Sequence, residues 1–192
     1  MKIGITLTSS LKVGQEYIDL THQVAEKLAR ANHAIVYGGT AYGMMLELAK
    51  SYKQANGTLL VGVMAKDLMA VTKGYEASTL LDESYTVDTY SERKDKIIHT
   101  SDAVLVLPGG YGTIEECITV VAGKVNKLFD KPIAIYNHGG FYDTLITFLG
   151  ELQTKDFTKI SIEDVAFVSD NLDDILHYFD TYKAAEIADK FV

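Results

Sequence analysis

The sequence predicts a doubly wound α/β fold, a mainly parallel sheet of about seven strands with helices on both faces. Three observations predict it. Short β-branched apolar runs alternate with longer stretches of helical period. Glycine clusters stand where those runs hand over to the helical stretches. No internal repeat, low-complexity tract or proline-rich linker breaks the alternation, so residues 1–192 read as a single domain. At 192 residues, 47% hydrophobic and 23% charged, the chain is long enough for one sizeable core.

The first strand, residues 2–7, is the apolar stretch from Ile3 to Leu7, broken by Thr6. Tyr17, Leu20, Val24 and Leu28 then repeat at helical spacing and make one apolar stripe. A second strand at 34–37 is followed by a helix whose stripe includes Met44, Leu48 and Tyr52. Further strands are expected at 58–63, 83–87, 103–107, 133–136 and 165–168, and further helices at 89–99, 113–128, 142–152 and 172–182. Residues 65–82 lack a pattern: Lys66, Asp67, Lys73, Glu76 and Asp82 interrupt the apolar positions around Gly74. That stretch reads as a long loop with a helical turn, either a functional lid or a surface excursion. Residues 184–192 read as a C-terminal docking helix or a tail.

Eighteen Lys and Arg against 26 Asp and Glu leave a formal charge of −8, which argues against a nucleic-acid polymer or an anionic membrane as partner. A small phosphorylated molecule is still compatible, because a local site can oppose the global charge. The one cysteine, Cys117, excludes an intrachain disulfide and a thiolate metal cluster, and a reducing compartment, the cytoplasm, is the expected location. Ser9, Ser10 and Lys12 make the N-terminal stretch too polar for a signal peptide. No apolar run approaches the roughly 18 residues of a membrane span. His22, His33, His138 and His177 have no metal-ligand spacing, so no metal and no cofactor are expected.

Of the 15 glycines, two clusters follow expected strands and open expected helices: Tyr37-Gly38-Gly39-Thr40-Ala41-Tyr42-Gly43 and Leu107-Pro108-Gly109-Gly110-Tyr111-Gly112-Thr113. At the carboxyl end of a parallel strand, glycine lets the backbone turn and approach a ligand, while the next helix offers unpaired N–H groups and partial positive charge. Neither cluster has dinucleotide-fingerprint spacing, and no Lys-Ser/Thr pair follows either. Two such turns in one chain point to a mononucleotide crevice.

The second cluster runs into Thr113-Ile114-Glu115-Glu116. One reading is structural, with Thr113 as N-cap and Glu116 closing a capping box. The other is chemical, with two carboxylates in the first turn of a helix beside an anion hole. Upstream, Ser91-Glu92-Arg93-Lys94-Asp95-Lys96 reads either as a solvated helix face or as a source of a guanidinium that folds over a phosphate.

The nine residues Pro108-Gly109-Gly110-Tyr111-Gly112-Thr113-Ile114-Glu115-Glu116 resemble the PGGxGTxxE signature of the LOG family, the cytokinin riboside 5′-monophosphate phosphoribohydrolases often mislabelled as lysine decarboxylases. Arg93-Lys94 falls where that family carries its Arg-Lys pair, with Arg93 and Glu116 23 positions apart. The resemblance extends from Ser9-Ser10 through Tyr37-Gly38-Gly39 to Gly139-Gly140-Phe141-Tyr142-Asp143. It implies a Rossmann-like fold, a homodimer, and hydrolysis of the N-glycosidic bond of a nucleoside 5′-monophosphate to free base and ribose 5-phosphate. By the same resemblance Arg93 and Glu116 are the catalytic pair, and Gly109, Gly110, Gly112 and Thr113 hold the phosphate. Ser10, Gly39 and Lys94 contribute further binding, and Glu115 is a further candidate. Thr40 stands where the family commonly has a third glycine, and Gly43-Met44-Met45-Leu46 replaces its GLMG segment, so Leu46 adds volume on the base or ribose side.

A carboxylate suits glycosidic cleavage because the sugar ring gains positive charge in the transition state. The rival readings are a nucleotide-binding or carrier protein of the same fold without chemistry, and an amino-acid decarboxylase. The second lacks a pyridoxal-lysine context at Lys50, Lys66 or Lys124. Cys117, inside an apolar helical stripe, reads as core and not as a nucleophile.

Overall fold

The computed structural model describes residues 1–184. Backbone contacts divide the chain into two compact units, Met1–Asp102 and the part beginning at Ala103. The expectation for residues 184–192 lies, after its first residue, outside the described residues.

The first unit alternates β1 (Lys2–Thr6), α1 (Gln15–Arg30), β2 (Ala34–Tyr37), α2 (Gly43–Gln54), β3 (Leu60–Ala65), α3 (Lys66–Val71), β4 (Glu83–Val87) and α4 (Tyr90–Thr100). Its strands lie in the order β4-β3-β2-β1 and pair in parallel, with Ile3 opposite Ile35, Val36 opposite Val61 and Val63 opposite Tyr85. Every residue of β2 and β3 is buried, the mark of strands covered on both faces. Val36, Val61 and Val63 pack with Ile97 of α4. The expected stripes of α1 and α2 are core, with Leu20, Val24, Leu28, Met44, Leu48 and Tyr52 buried, and the Tyr52 hydroxyl donates to the His33 carbonyl at 2.8 Å.

Both helices stop for the same reason. Asn32 and Asn56 adopt positive φ (55° and 61°), and the amides of His33 and Gly57 turn back to the carbonyls of Leu28 and Tyr52. This left-handed closure satisfies carbonyls that would otherwise be orphaned.

The second unit contains β5 (Ala103–Val106), α5 (Tyr111–Val125), β6 (Ile133–Tyr136), a 3-10 turn (His138–Gly140), α6 (Asp143–Thr154), α7 (Ile162–Val165), β7 (Phe167–Ser169) and α8 (Leu172–Thr181). Its strand order is β5-β6-β7, again parallel. The α/β class, the seven strands and their parallel pairing are therefore as expected.

Several boundaries differ. The last strand begins at Phe167 instead of 165, because Ser161 and Asp164 form a capping box that starts α7 just before it. β3 runs from Leu60 to Ala65 and passes directly into α3, so the patternless stretch 65–82 is a two-turn helix followed by a return loop. α5 begins at Tyr111, two residues before the expected start.

Candidate functional site

In the first unit the glycine turn after β2 is built by close approach. Gly39 has φ 71°, and a Cβ there would lie 2.7 Å from Gly62 Cα on β3. Gly43 has φ 62°, and a Cβ would lie 1.6 Å from the Ser9 carbonyl oxygen, so the loop after β1 rests directly on the start of α2. The third glycine of the cluster, off-register for a dinucleotide fingerprint, is thus explained by backbone contact.

Gly38 explains Arg93. A Cβ at Gly38 would sit 2.0 Å from Arg93 Nη2, so the guanidinium occupies the space that glycine leaves open. Arg93 stands on the first turns of α4 and is 3% exposed, with Nε donating to the Val63 carbonyl at 3.0 Å. The helix start that holds it is a capping box: Thr89 Oγ1 accepts from the Glu92 amide at 3.2 Å, and the Glu92 carboxylate accepts from the amides of Asp88 and Thr89. Ser91, Glu92 and Asp95 do face water, whereas Arg93 turns inward. The solvated-face reading therefore fails at Arg93. Lys94 is half-buried with its ammonium 4.9 Å from the Tyr90 ring centroid. Ser10 is exposed in the loop after β1, its hydroxyl accepting from the Lys12 amide at 3.0 Å.

The loop after α3 returns to this turn. Ala41 donates to the Glu76 carbonyl and Ser78 donates to the Gly39 carbonyl, each at 2.8 Å, which makes a small antiparallel bridge at Thr40 and Ala77. Thr40 and Ser78, on the two sides of this bridge, are 2% and 5% exposed. Sequence reasoning missed the bridge, since hydrogen bonds between backbones carry no residue signature.

In the second unit β5 leads through buried Leu107 and Pro108 into the Gly109-Gly110 turn. Gly110 is the N-cap of α5 and no side chain caps it, nor does any acid stand in the first turn. Thr113 lies inside the helix, 3% exposed, and a Cβ at Gly109 would meet its Oγ1 at 2.1 Å. A Cβ at Gly110 would meet nothing within 4 Å. The Thr113–Glu116 capping-box reading is thereby overturned, and so is the placement of Glu115 and Glu116 in the first turn. The helix has already begun at Tyr111, so both carboxylates stand one turn further in, Glu116 half-buried and Glu115 exposed with the Thr119 hydroxyl donating to it at 3.2 Å. Gly110 thus offers no side chain to cap the helix N-terminus, the kind of helix end whose backbone N–H groups suit an anion.

Cys117 is fully buried, and burial pushes its thiol up to about 12, which rules out a thiolate at neutral pH. Lys50 and Lys66 are committed to Glu47 and Asp88 at 2.8 and 2.6 Å. Lys124 is 1% exposed beneath the Tyr182 ring, and burial lowers its pKa. His138 is half-buried, its ring edge-on to Tyr136 at 5.9 Å. No helix among the described residues is long and apolar enough to cross a membrane.

The family model described as possible lysine decarboxylase matches residues 44–179. The chain is 29% identical over 176 residues to cytokinin riboside 5′-monophosphate phosphoribohydrolase LOG5 of Arabidopsis thaliana, covering 87% of this chain and 72% of that one. It is 30% identical over 166 residues to the LOG2 enzyme of the same name and plant, covering 86% and 76%. The fold is shared with a molybdenum cofactor binding protein from Rippkaea orientalis, with a TM-score of 0.67 at 15% identity over 94% and 95% of the two chains. An uncapped glycine turn, a buried arginine set against a second one, and these matches agree: the chain belongs to the possible lysine decarboxylase family, the LOG family, whose relatives here are named phosphoribohydrolases.

Proposed function

We propose that this protein is a phosphoribohydrolase that cleaves the N-glycosidic bond of a nucleoside 5′-monophosphate, AMP or an N6-modified AMP, to free base and ribose 5-phosphate. The observation that carries the reading is the N-terminus of α5. It opens on Gly110 with no side-chain cap and no acidic residue in its first turn, and the space beside Gly110 is open, with nothing within 4 Å of where a Cβ would stand. Unsatisfied amides and the helix dipole there suit a phosphate dianion.

In this proposal the turn of Gly109, Gly110, Gly112 and Thr113 holds the phosphate. Arg93 and Glu116 act on the same nucleotide, with Ser10, Gly39 and Lys94 contributing to its binding and Glu115 a secondary candidate. Water adds its oxygen to C1′, the C1′–N bond breaks, its electron pair leaves with the base, and the base takes up a proton. Glu116 stabilises the ring cation or positions the water, and Arg93 orients the phosphate or assists the departing base. The proposal treats residues 1–192 as a single nucleotide-binding domain. The resemblance to the family supports a homodimer, and α6, which buries none of its residues within the chain, offers a surface for it. A lone buried cysteine accords with a cytoplasmic setting.

The test is to incubate the protein with AMP and with N6-isopentenyl-AMP and follow free base. Glu116→Gln and Arg93→Ala are each expected to lose activity by on the order of a hundredfold or more. Unchanged turnover in either variant removes that residue from the mechanism. Phosphate-ligand binding without base release from any nucleoside monophosphate would make the protein a carrier.

A further inference from the structure

Tyr142, the residue just before α6, is 2% exposed, and no role for it follows from the proposed chemistry. Its hydroxyl donates to the Leu107 carbonyl at 2.8 Å, in a buried hydrogen bond. Leu107 stands immediately before Pro108, which has no N–H of its own, and the Gly109-Gly110 turn. The phenol therefore holds the last carbonyl before the bend at which β5 becomes the glycine turn. Burial raises the phenol well above its ordinary range, so it stays a protonated donor at any working pH.

Tyr142 is itself held in place. Its amide donates to Asn137 Oδ1 at 2.7 Å, and Asn137 Nδ2 donates to Asp143 Oδ1 at 2.7 Å. The Asn137 amide is fixed to the Ser169 carbonyl of β7 at 2.8 Å. Gly139 and Gly140, at φ 59° and 76°, give the short connection its reversal. The Phe141 ring stands edge-on to the Tyr142 ring at 4.8 Å.

We propose that Tyr142 is a positioning residue for the phosphate turn: through the Leu107 carbonyl it sets the direction in which the following amides of the α5 N-terminus face the phosphate, without touching the substrate. The inference rests on the phosphoribohydrolase reading. Within the turn, the absent Gly109 side chain makes room for Thr113.

The test is Tyr142→Phe, which keeps the ring and removes only the hydroxyl. Ribose 5-phosphate binding by calorimetry and the kinetics of AMP cleavage are compared with the unmodified protein. Ribose 5-phosphate affinity is expected to fall and KM for AMP to rise by about tenfold, the effect of one hydrogen bond, with kcat at saturation within about twofold. Asp143→Ala, on the exposed side of the clamp, is expected to shift both in the same direction by about threefold, and it reads the same effect should Tyr142→Phe not fold. Equal ribose 5-phosphate affinity in the folded variant and the parent overturns the positioning role while leaving the proposed activity standing. A fall in kcat with unchanged KM overturns it too. If the parent protein releases no base from AMP or N6-isopentenyl-AMP, the activity itself is refuted and this inference with it.

Discussion

A single arginine shows how a charged side chain becomes a buried one. Arg93 is 3% exposed because Gly38 leaves a space of the right size and the Val63 carbonyl meets Nε at 3.0 Å. Removing a guanidinium from water is costly unless its donors are met, so the site commits to one geometry. Gly38→Ala would place a methyl 2.0 Å from Nη2 and force the guanidinium out. Under the proposed function its expected cost is on the order of a hundredfold in kcat/KM for AMP, the scale of an ångström's misplacement of a group acting on the substrate, with the fold retained by circular dichroism. Full activity in that variant would show that the guanidinium position is not what matters. Nothing in the charge run from Ser91 to Lys96 announces this burial, because the glycine that permits it lies on another element. Tyr142 was hidden in the same way, its partner being a carbonyl, which every residue has.

Among the elements, the strands were the most legible, since β-branched apolar runs have few other places to go in a parallel sheet. The start of α5 was misjudged because glycine is a poor helix former, yet Gly112 sits inside its first turn. α7 was missed although its Ser161-Ile162-Glu163-Asp164 start is a capping-box pattern, because a four-residue helix has no periodicity to detect. Asp82 illustrates how elements are tied. Its carboxylate accepts from Lys53 Nζ at 2.5 Å and from the Leu60 amide at 2.6 Å, which joins α2, the head of β3 and the end of the loop after α3. Burial alone would raise its pKa, but the bonds from Lys53 and the Leu60 amide outweigh that and hold it below the ordinary carboxylate value. A carboxylate depressed in the folded state stabilises above its unfolded pKa, and that contribution is lost as pH falls through the folded value. With solvent screening the half-exposed pair, Asp82→Asn is expected to cost about 1 kcal/mol at pH 7. In thermal melts the gap from the parent closes as pH falls below about 4. A gap that stays constant down to pH 3 would mean that the Asp82 charge contributes nothing.

For the molecule as a whole, the acidic balance and the glycine turns point the same way. A net charge of −8 disfavours polyanions, while the uncapped N-terminus of α5 is a local feature suited to a small anion. The patternless stretch after β3 looked in sequence like either a lid or a surface excursion, and its middle, from Glu76 to Ser78, is instead joined to the first glycine turn by backbone hydrogen bonds. Those two amides, Ala41 and Ser78, are expected to exchange with deuterium as slowly as strand amides, and the α3 amides, on a helix with no buried residue, far faster. Fast exchange at Ser78 would show that the bridge is transient. If the bridge is firm, a protease can cut between residues 66 and 74 and leave the Glu76–Ser78 segment attached, so that a nicked chain still keeps the wall of its first glycine turn.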